Sequence, residues 1–159
     1  MRILIILIFL LTGCASKSSL NDHPLIDIWA ANPIKLQVVP TFRSPIIYEV
    51  IDYEPKRIIV TIYEGQGGYD WGNIKKQYSV NLTDSEYQKI LSLHTEVLEN
   101  FPLTDKVGGK DGSMWVLETG RHQYSKLSSW SPRYKTSERG LSALVKFKDL
   151  LASLVENDA

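Results

Sequence analysis

Cysteine is nearly absent: Cys14 is the single one in the chain, so no disulfide framework staples it. Histidine is scarce too. His23, His94 and His122 are scattered, and no pair of them has metal-ligand spacing. Neither sign of charge prevails, because 18 basic side chains balance 18 acidic ones. Nucleic-acid binders instead carry a basic excess or stripe, so no nucleic-acid partner is expected. Ten glycines and seven prolines are too few for a collagen-like or low-complexity chain. Long hydrophobic runs reduce to one, Ile3–Leu11. As a helix it would span about 14 Å against a hydrocarbon core of about 30 Å, too short to cross a membrane. What the chain does have is apolar and aromatic content, 43% and 10% of its 159 residues. That excludes intrinsic disorder and suffices for one domain, which at this size buries roughly 70% of its unfolded surface.

The N-terminus is built differently from the rest. Met1-Arg2 supplies a positive charge, Ile3–Leu11 an apolar stretch, and Leu11-Thr12-Gly13-Cys14 follows. This order is that of an export signal. The last four residues resemble the lipobox of bacterial lipoproteins: an aliphatic residue, a small residue, glycine, then cysteine. The resemblance implies diacylation of the Cys14 sulfur, cleavage of residues 1–13, and acylation of the new amino terminus. Small residues at 12 and 13 suit a narrow protease cleft, and only a thiol gives the nucleophile for the thioether. Ala15 and Ser16 follow, with no aspartate; in a Gram-negative cell the sorting pattern of such lipoproteins then points to the outer membrane, facing the periplasm. Anchoring would come from the acyl chains, each buried CH₂ contributing about 0.8 kcal/mol.

Residues 14–23 read as the lipidated cysteine and a polar flexible tether, and residues 24–159 as one domain. Its first half alternates as strands do: Ile34, Leu36 and Val38, then Ile46–Tyr53, then Arg57–Glu64 with apolar residues on both faces, an interior strand. After a glycine-rich loop, Ile74–Leu82 alternates with one solvated face. Thr83 and Glu86 form a capping box ahead of a stripe of Tyr87, Ile90, Leu91, His94, Val97, Leu98 and Phe101. A hairpin of Ser113–Thr119 and His122–Ser128 around a Gly120-Arg121 turn is expected next, and a last helix over about 137–155. The predicted architecture is α+β, a mostly antiparallel sheet of five or six strands with two amphipathic helices on one face. The segment Asp111–Pro132 resembles a hairpin of small bacterial α+β proteins, which supports the fold and transfers no activity.

Catalytic signatures fail one by one. Ser113 lacks the flanking glycine of a nucleophile elbow. Val107–Gly112 has glycines and a lysine, but a helix precedes it and a strand follows, the reverse of a phosphate loop. The acidic pairs Asp52/Glu54 and Asp105/Asp111 read as solvated turn residues, His94 as a core histidine, and His122 as a strand residue near Glu118. No catalytic residue, metal or cofactor is assigned. Aromatic loops remain. Tyr69, Asp70 and Trp71 lie among the glycines 65, 67, 68 and 72, and Trp130, Arg133 and Tyr134 in a second irregular stretch. Trp, Tyr and Arg dominate binding hot spots because they bury much area with few rotors. The same aromatics could instead fold back to cap the core. The expectation is a non-catalytic lipoprotein that binds a protein partner, in its most concrete form an immunity or inhibitor protein against an envelope-targeting toxin. The competing readings are an assembly accessory of an envelope complex and an enzyme with an unrecognised site.

Overall fold

The computed structural model describes residues 34–120 and 124–156. They form a six-stranded antiparallel sheet, β1 (Ile34–Pro40), β2 (Ile46–Ile51), β3 (Arg57–Tyr63), β4 (Ile74–Asn81), β5 (Ser113–Thr119) and β6 (Ser125–Trp130), with helices α1 (Asp84–Asn100) and α2 (Ser142–Glu156). The spatial order is β4-β3-β2-β1-β5-β6, so the hairpin β5-β6 joins beside β1. The register places Leu36 opposite both Tyr48 and Leu117, and Val60 opposite Tyr48 and Tyr78. One pleat face thereby gathers every second residue of the strands into a single core with Ile90, Val97, Leu144, Phe147 and Leu151 of the two helices.

The opposite face is mixed. Lys35 pairs with Glu49 at 3.7 Å and Lys126 with Glu118 at 3.1 Å, while Gln77 Nε2 donates to Thr61 Oγ1 at 2.9 Å. Ile47 and Ile51 interrupt these polar positions as buried apolar ones.

The capping box forms as the sequence predicts. The Thr83 N–H donates to Glu86 Oε2 at 2.8 Å, and the Glu86 N–H returns a bond to Thr83 Oγ1 at 3.3 Å. The helical stripe is narrower than its periodicity: Tyr87, Ile90, His94 and Val97 are buried, Leu91 is partly covered and Leu98 is exposed. The second helix starts at Ser142, about five positions later than the periodicity predicts. Gly140 sits at φ +69°, outside right-handed helical space, and residues 132–140 form turns. The hairpin also differs. Met114 pairs with Trp130 and Thr119 with Ser125, so residues 120–124 connect the strands and Trp130 closes β6 instead of lying in an irregular stretch. The lipobox, Cys14, the tether, His23 and His122 lie outside the described residues.

Candidate functional site at the loop end of the sheet

The antiparallel order brings four connections to one end of the sheet: the β1-β2 turn, the β3-β4 loop, the segment leading from α1 to β5, and the segment from β6 to α2. Both loops singled out by their aromatics are among them.

In the β3-β4 loop the backbone and two side chains, Asp70 and Trp71, hold the loop itself. The Gly65 N–H donates to Trp71 O at 2.8 Å and the Gln66 N–H to Asp70 O at 2.9 Å. Asp70 Oδ1 accepts from the Gly72 N–H at 2.9 Å, an Asx-type turn, with Gly72 at φ +65°. Trp71 donates its indole N–H to Gly67 O at 3.2 Å and stands edge-on to Tyr63 at 5.2 Å. A side chain at Gly65 would come within 1.9 Å of Asp70 O, so only glycine closes this turn. The Gly67 N–H donates to Arg43 O at 3.0 Å and the Gly68 N–H to Thr41 O at 3.1 Å, which fastens the loop to the β1-β2 turn. The Tyr69 N–H donates to Gln66 O at 3.0 Å, but its side chain is left outside these bonds. It is 70% exposed and lies 6.2 Å from the ring of Phe42, itself 54% exposed. Asp70 and Trp71 hold the loop that carries Tyr69, and Phe42 meets that ring from the β1-β2 turn.

The second group divides in the same way. Trp130 is partly buried at the end of β6. Gly109 and Gly112 press against its indole; a Cβ at Gly109 would lie 2.8 Å from Nε1, and one at Gly112 2.3 Å from Ser131 Oγ. Those glycines allow close packing on tryptophan. Arg133 is exposed, hydrogen-bonds to Asp149 on α2 and stands 5.9 Å from the ring of Trp115. Tyr134 is 56% exposed beside Lys135.

Beneath this end lies an ion pair that sequence reasoning misses. The Arg139 and Asp105 side chains are 9% and 8% exposed, so Asp105 is not the solvated turn residue its loop setting predicts. The guanidinium grips the carboxylate with two bonds, Nε to Oδ1 at 3.2 Å and Nη2 to Oδ2 at 2.6 Å. It also donates to the carbonyls of Trp130, Ser131 and Tyr134 at 2.8, 2.9 and 2.7 Å, and to Ser129 Oγ at 3.1 Å. Ser129 donates in turn to Asp105 Oδ2 at 2.7 Å. The hydrogen bonds from Arg139, then that from Ser129, hold the Asp105 carboxyl below its usual range despite burial. A single arginine thus ties the segment before β5 to the segment after β6.

Between the aromatic pair and Arg133 runs an open groove with a volume of about 430 Å³. Val38 and Trp115 form its apolar floor, and Phe42, Arg43, Arg133 and Lys148 its rim. A smaller pocket of about 210 Å³ shares Trp115 and Arg133 and reaches Pro132. Tyr69, through Phe42, and Arg133 therefore flank one surface, whereas Trp130 lines a separate cavity of about 360 Å³ with Asp105 and Met114. Phe42, Arg43, Trp115 and Lys148 carried one local signal at most: Phe42-Arg43 sits in a turn just after Pro40.

His94 is buried, and desolvation pushes its imidazole below the ordinary histidine range. Among the described residues no cluster of three or more His, Cys, Asp or Glu side chains could hold a metal ion, and no helix is long and apolar enough to cross a membrane. No protein-family model matches the chain, and the curated proteins and solved structures give no match either.

Proposed function

We propose that this chain is a membrane-anchored lipoprotein that binds a protein partner through the loop end of its sheet and carries out no chemistry of its own. The observation that supports the binding role is the exposed Phe42–Tyr69 pair, held outward by a loop whose backbone and remaining aromatic are committed to rigidity. Large apolar rings kept at the surface by a pre-ordered loop lower the entropy that a partner must supply on binding. The leader and lipobox support the anchoring: acylated Cys14 would hold the domain at the envelope, most simply on the periplasmic side of the outer membrane in a Gram-negative cell. An envelope-attacking toxin as partner would make the chain its immunity protein, and a resident envelope component would make it an assembly accessory.

The test is site-specific cross-linking in intact cells, with a photoreactive phenylalanine analogue placed at position 42 or 69 and, as control, at the exposed Gln88 on α1. The expected result is one discrete cross-linked protein from positions 42 and 69 and none from 88. Equal, diffuse labelling from all three positions would refute the binding surface.

A further inference from the structure

Every charged side chain lining the groove is a cation: Arg43, Arg133 and Lys148. One carboxylate outside the lining, Asp149, bonds Arg133 and lies 3.7 Å from the Lys148 ammonium. It offsets one of the three charges. Among the described residues Arg43 has no acidic partner. The floor between these cations is apolar, with Trp115 and Val38 nearly buried and Phe42 exposed at one wall. A volume of about 430 Å³ falls in the range of sites that enclose one small ligand or one large side chain, roughly 300–1,000 Å³. The chain as a whole is neutral, so this concentration of one sign is local.

We infer that the groove takes an acidic segment of the partner, one aromatic or large aliphatic side chain seated over Trp115 with aspartate or glutamate on either side. Each part of the surface then meets a complementary group. Arg133 stands beside the Trp115 ring with its guanidinium partly exposed, so an incoming carboxylate can compete with or share Asp149. Arg43 and Lys148 reach the groove from the β1-β2 turn and α2, so the acidic residues must flank the apolar anchor rather than precede it as a block. The exposed pair Phe42–Tyr69 continues the apolar surface beyond the groove. Charges at such a rim govern association rate and selectivity, and the buried anchor governs dwell time.

This inference rests on the protein-binding reading above and adds the partner's chemistry. It is tested on the full chain in non-ionic detergent, with an acetylated and amidated Glu-Asp-Phe-Asp-Glu peptide as probe and Gln-Asn-Phe-Asn-Gln as its neutral counterpart. The Trp115 indole and Arg133 Nε–H signals should move in the NMR spectrum with the acidic peptide at low salt and much less with the neutral one. The triple variant Arg43→Gln, Arg133→Gln, Lys148→Gln should weaken binding about tenfold or more. The triple variant Lys75→Gln, Lys89→Gln, Lys146→Gln, which removes the same charge elsewhere, should leave it within about twofold. Equal binding of both peptides, equal loss in both triple variants, or no movement of the two signals at millimolar acidic peptide would overturn the inference. So would signals that respond to anionic phosphatidylglycerol bicelles and not to the peptide, which would make the groove a lipid site. A discrete cross-link from position 69 together with an unresponsive groove would sink this inference alone. A responsive groove with no cross-linked partner would instead sink the protein-binding reading.

Discussion

Replacing Arg139 by methionine keeps an unbranched apolar stem, shortens the side chain and removes every donor of the buried guanidinium. Asp105 would then retain Ser129 Oγ and the more distant Val107 N–H at 3.4 Å, while the carbonyls of Trp130, Ser131 and Tyr134 lose a donor each. Removing one partner of a buried pair leaves an uncompensated charge, and such changes cost about 3–5 kcal/mol. For a domain of this size that lowers the melting temperature on the order of 10–20 °C. Arg139→Lys keeps the charge and should recover little, because an ammonium cannot span the carboxylate and three carbonyls at once. If simple attraction between opposite charges were all that mattered, lysine would suffice. Urea denaturation followed by tryptophan fluorescence measures both variants. A loss below about 1 kcal/mol for Arg139→Met, or full rescue by lysine, would refute the reasoning.

The same pair has a pH signature. The Asp105 carboxyl titrates below its ordinary value in the folded chain, chiefly through its bonds to Arg139. Its contribution is therefore fully present above the unfolded value of about 3.9 and is lost as pH falls through the lower folded one. The stability gap between the wild type and Arg139→Met should be widest near neutral pH and shrink as pH falls, first as the desolvated carboxylate left unpaired in the variant takes up a proton and then as the wild-type carboxyl does.

Three further outcomes follow from burial and chemistry elsewhere. His94 is buried and its imidazole pKa is lowered by desolvation, so the unfolded chain takes up a proton near pH 6.5 that the folded chain refuses. Stability should fall below about pH 6.5 by at most about 1.4 kcal/mol per unit, and His94→Leu should remove this component when urea midpoints at pH 7.5 and 5 are compared. Ile90, fully buried on α1, should lose about 2–5 kcal/mol on truncation to alanine, and Leu91→Ala distinctly less; the reverse order in chemical denaturation would mean that the helix is rotated on the sheet. Cys14→Ser should give an uncleaved precursor without lipid, and wild-type chain with no acyl mass in a detergent phase split would exclude the lipoprotein reading.

Most strand and helix positions could be read because local pattern and tertiary role agree. Arg57–Tyr63 has apolar residues on both faces and lies inside the sheet; Thr83-Asp84-Ser85-Glu86 closes its own capping bonds and needs no distant partner. The errors fall where a non-local contact overrides local preference. Leu141, Leu144 and Phe147 fix the period of α2, but its start depends on Arg139 bonding to Asp105, 34 positions earlier in the chain, and that bond holds the segment before Gly140 in turns. β6 begins at Ser125, opposite Thr119, because the register with β5 and not the local alternation sets its start. At the loop end, composition singles out the aromatic loops yet does not divide roles within them. Tyr69, Asp70 and Trp71 are consecutive, and only the fold shows that two of the three hold the loop while one faces outward.

The sheet's own edges help explain why recognition should fall to the loop end. An exposed edge strand is a template for pairing with another chain, and charged side chains blunt it. β4 forms one edge, and Lys75, Lys76 and Gln77 are exposed along it; the register slip between Ile62 and Tyr63 further distorts the start of its pairing. β6 forms the other edge, and the segment before β5 lies against its end through Asp105–Ser129 and the packing of Gly109 on Trp130. One helix-bearing face is filled by the core. The loop end differs from these surfaces because it combines exposed rings, unmatched positive charge and a concave floor. The Arg139 pair ties together two of the segments that form it and lines no part of the groove, so this contact is kept apart from the residues that would meet a partner. Phe42, Arg43 and Tyr69 can therefore be exchanged with little cost to the fold, whereas Arg139 cannot. That separation allows a binding surface to change its specificity while its supporting fold stays constant.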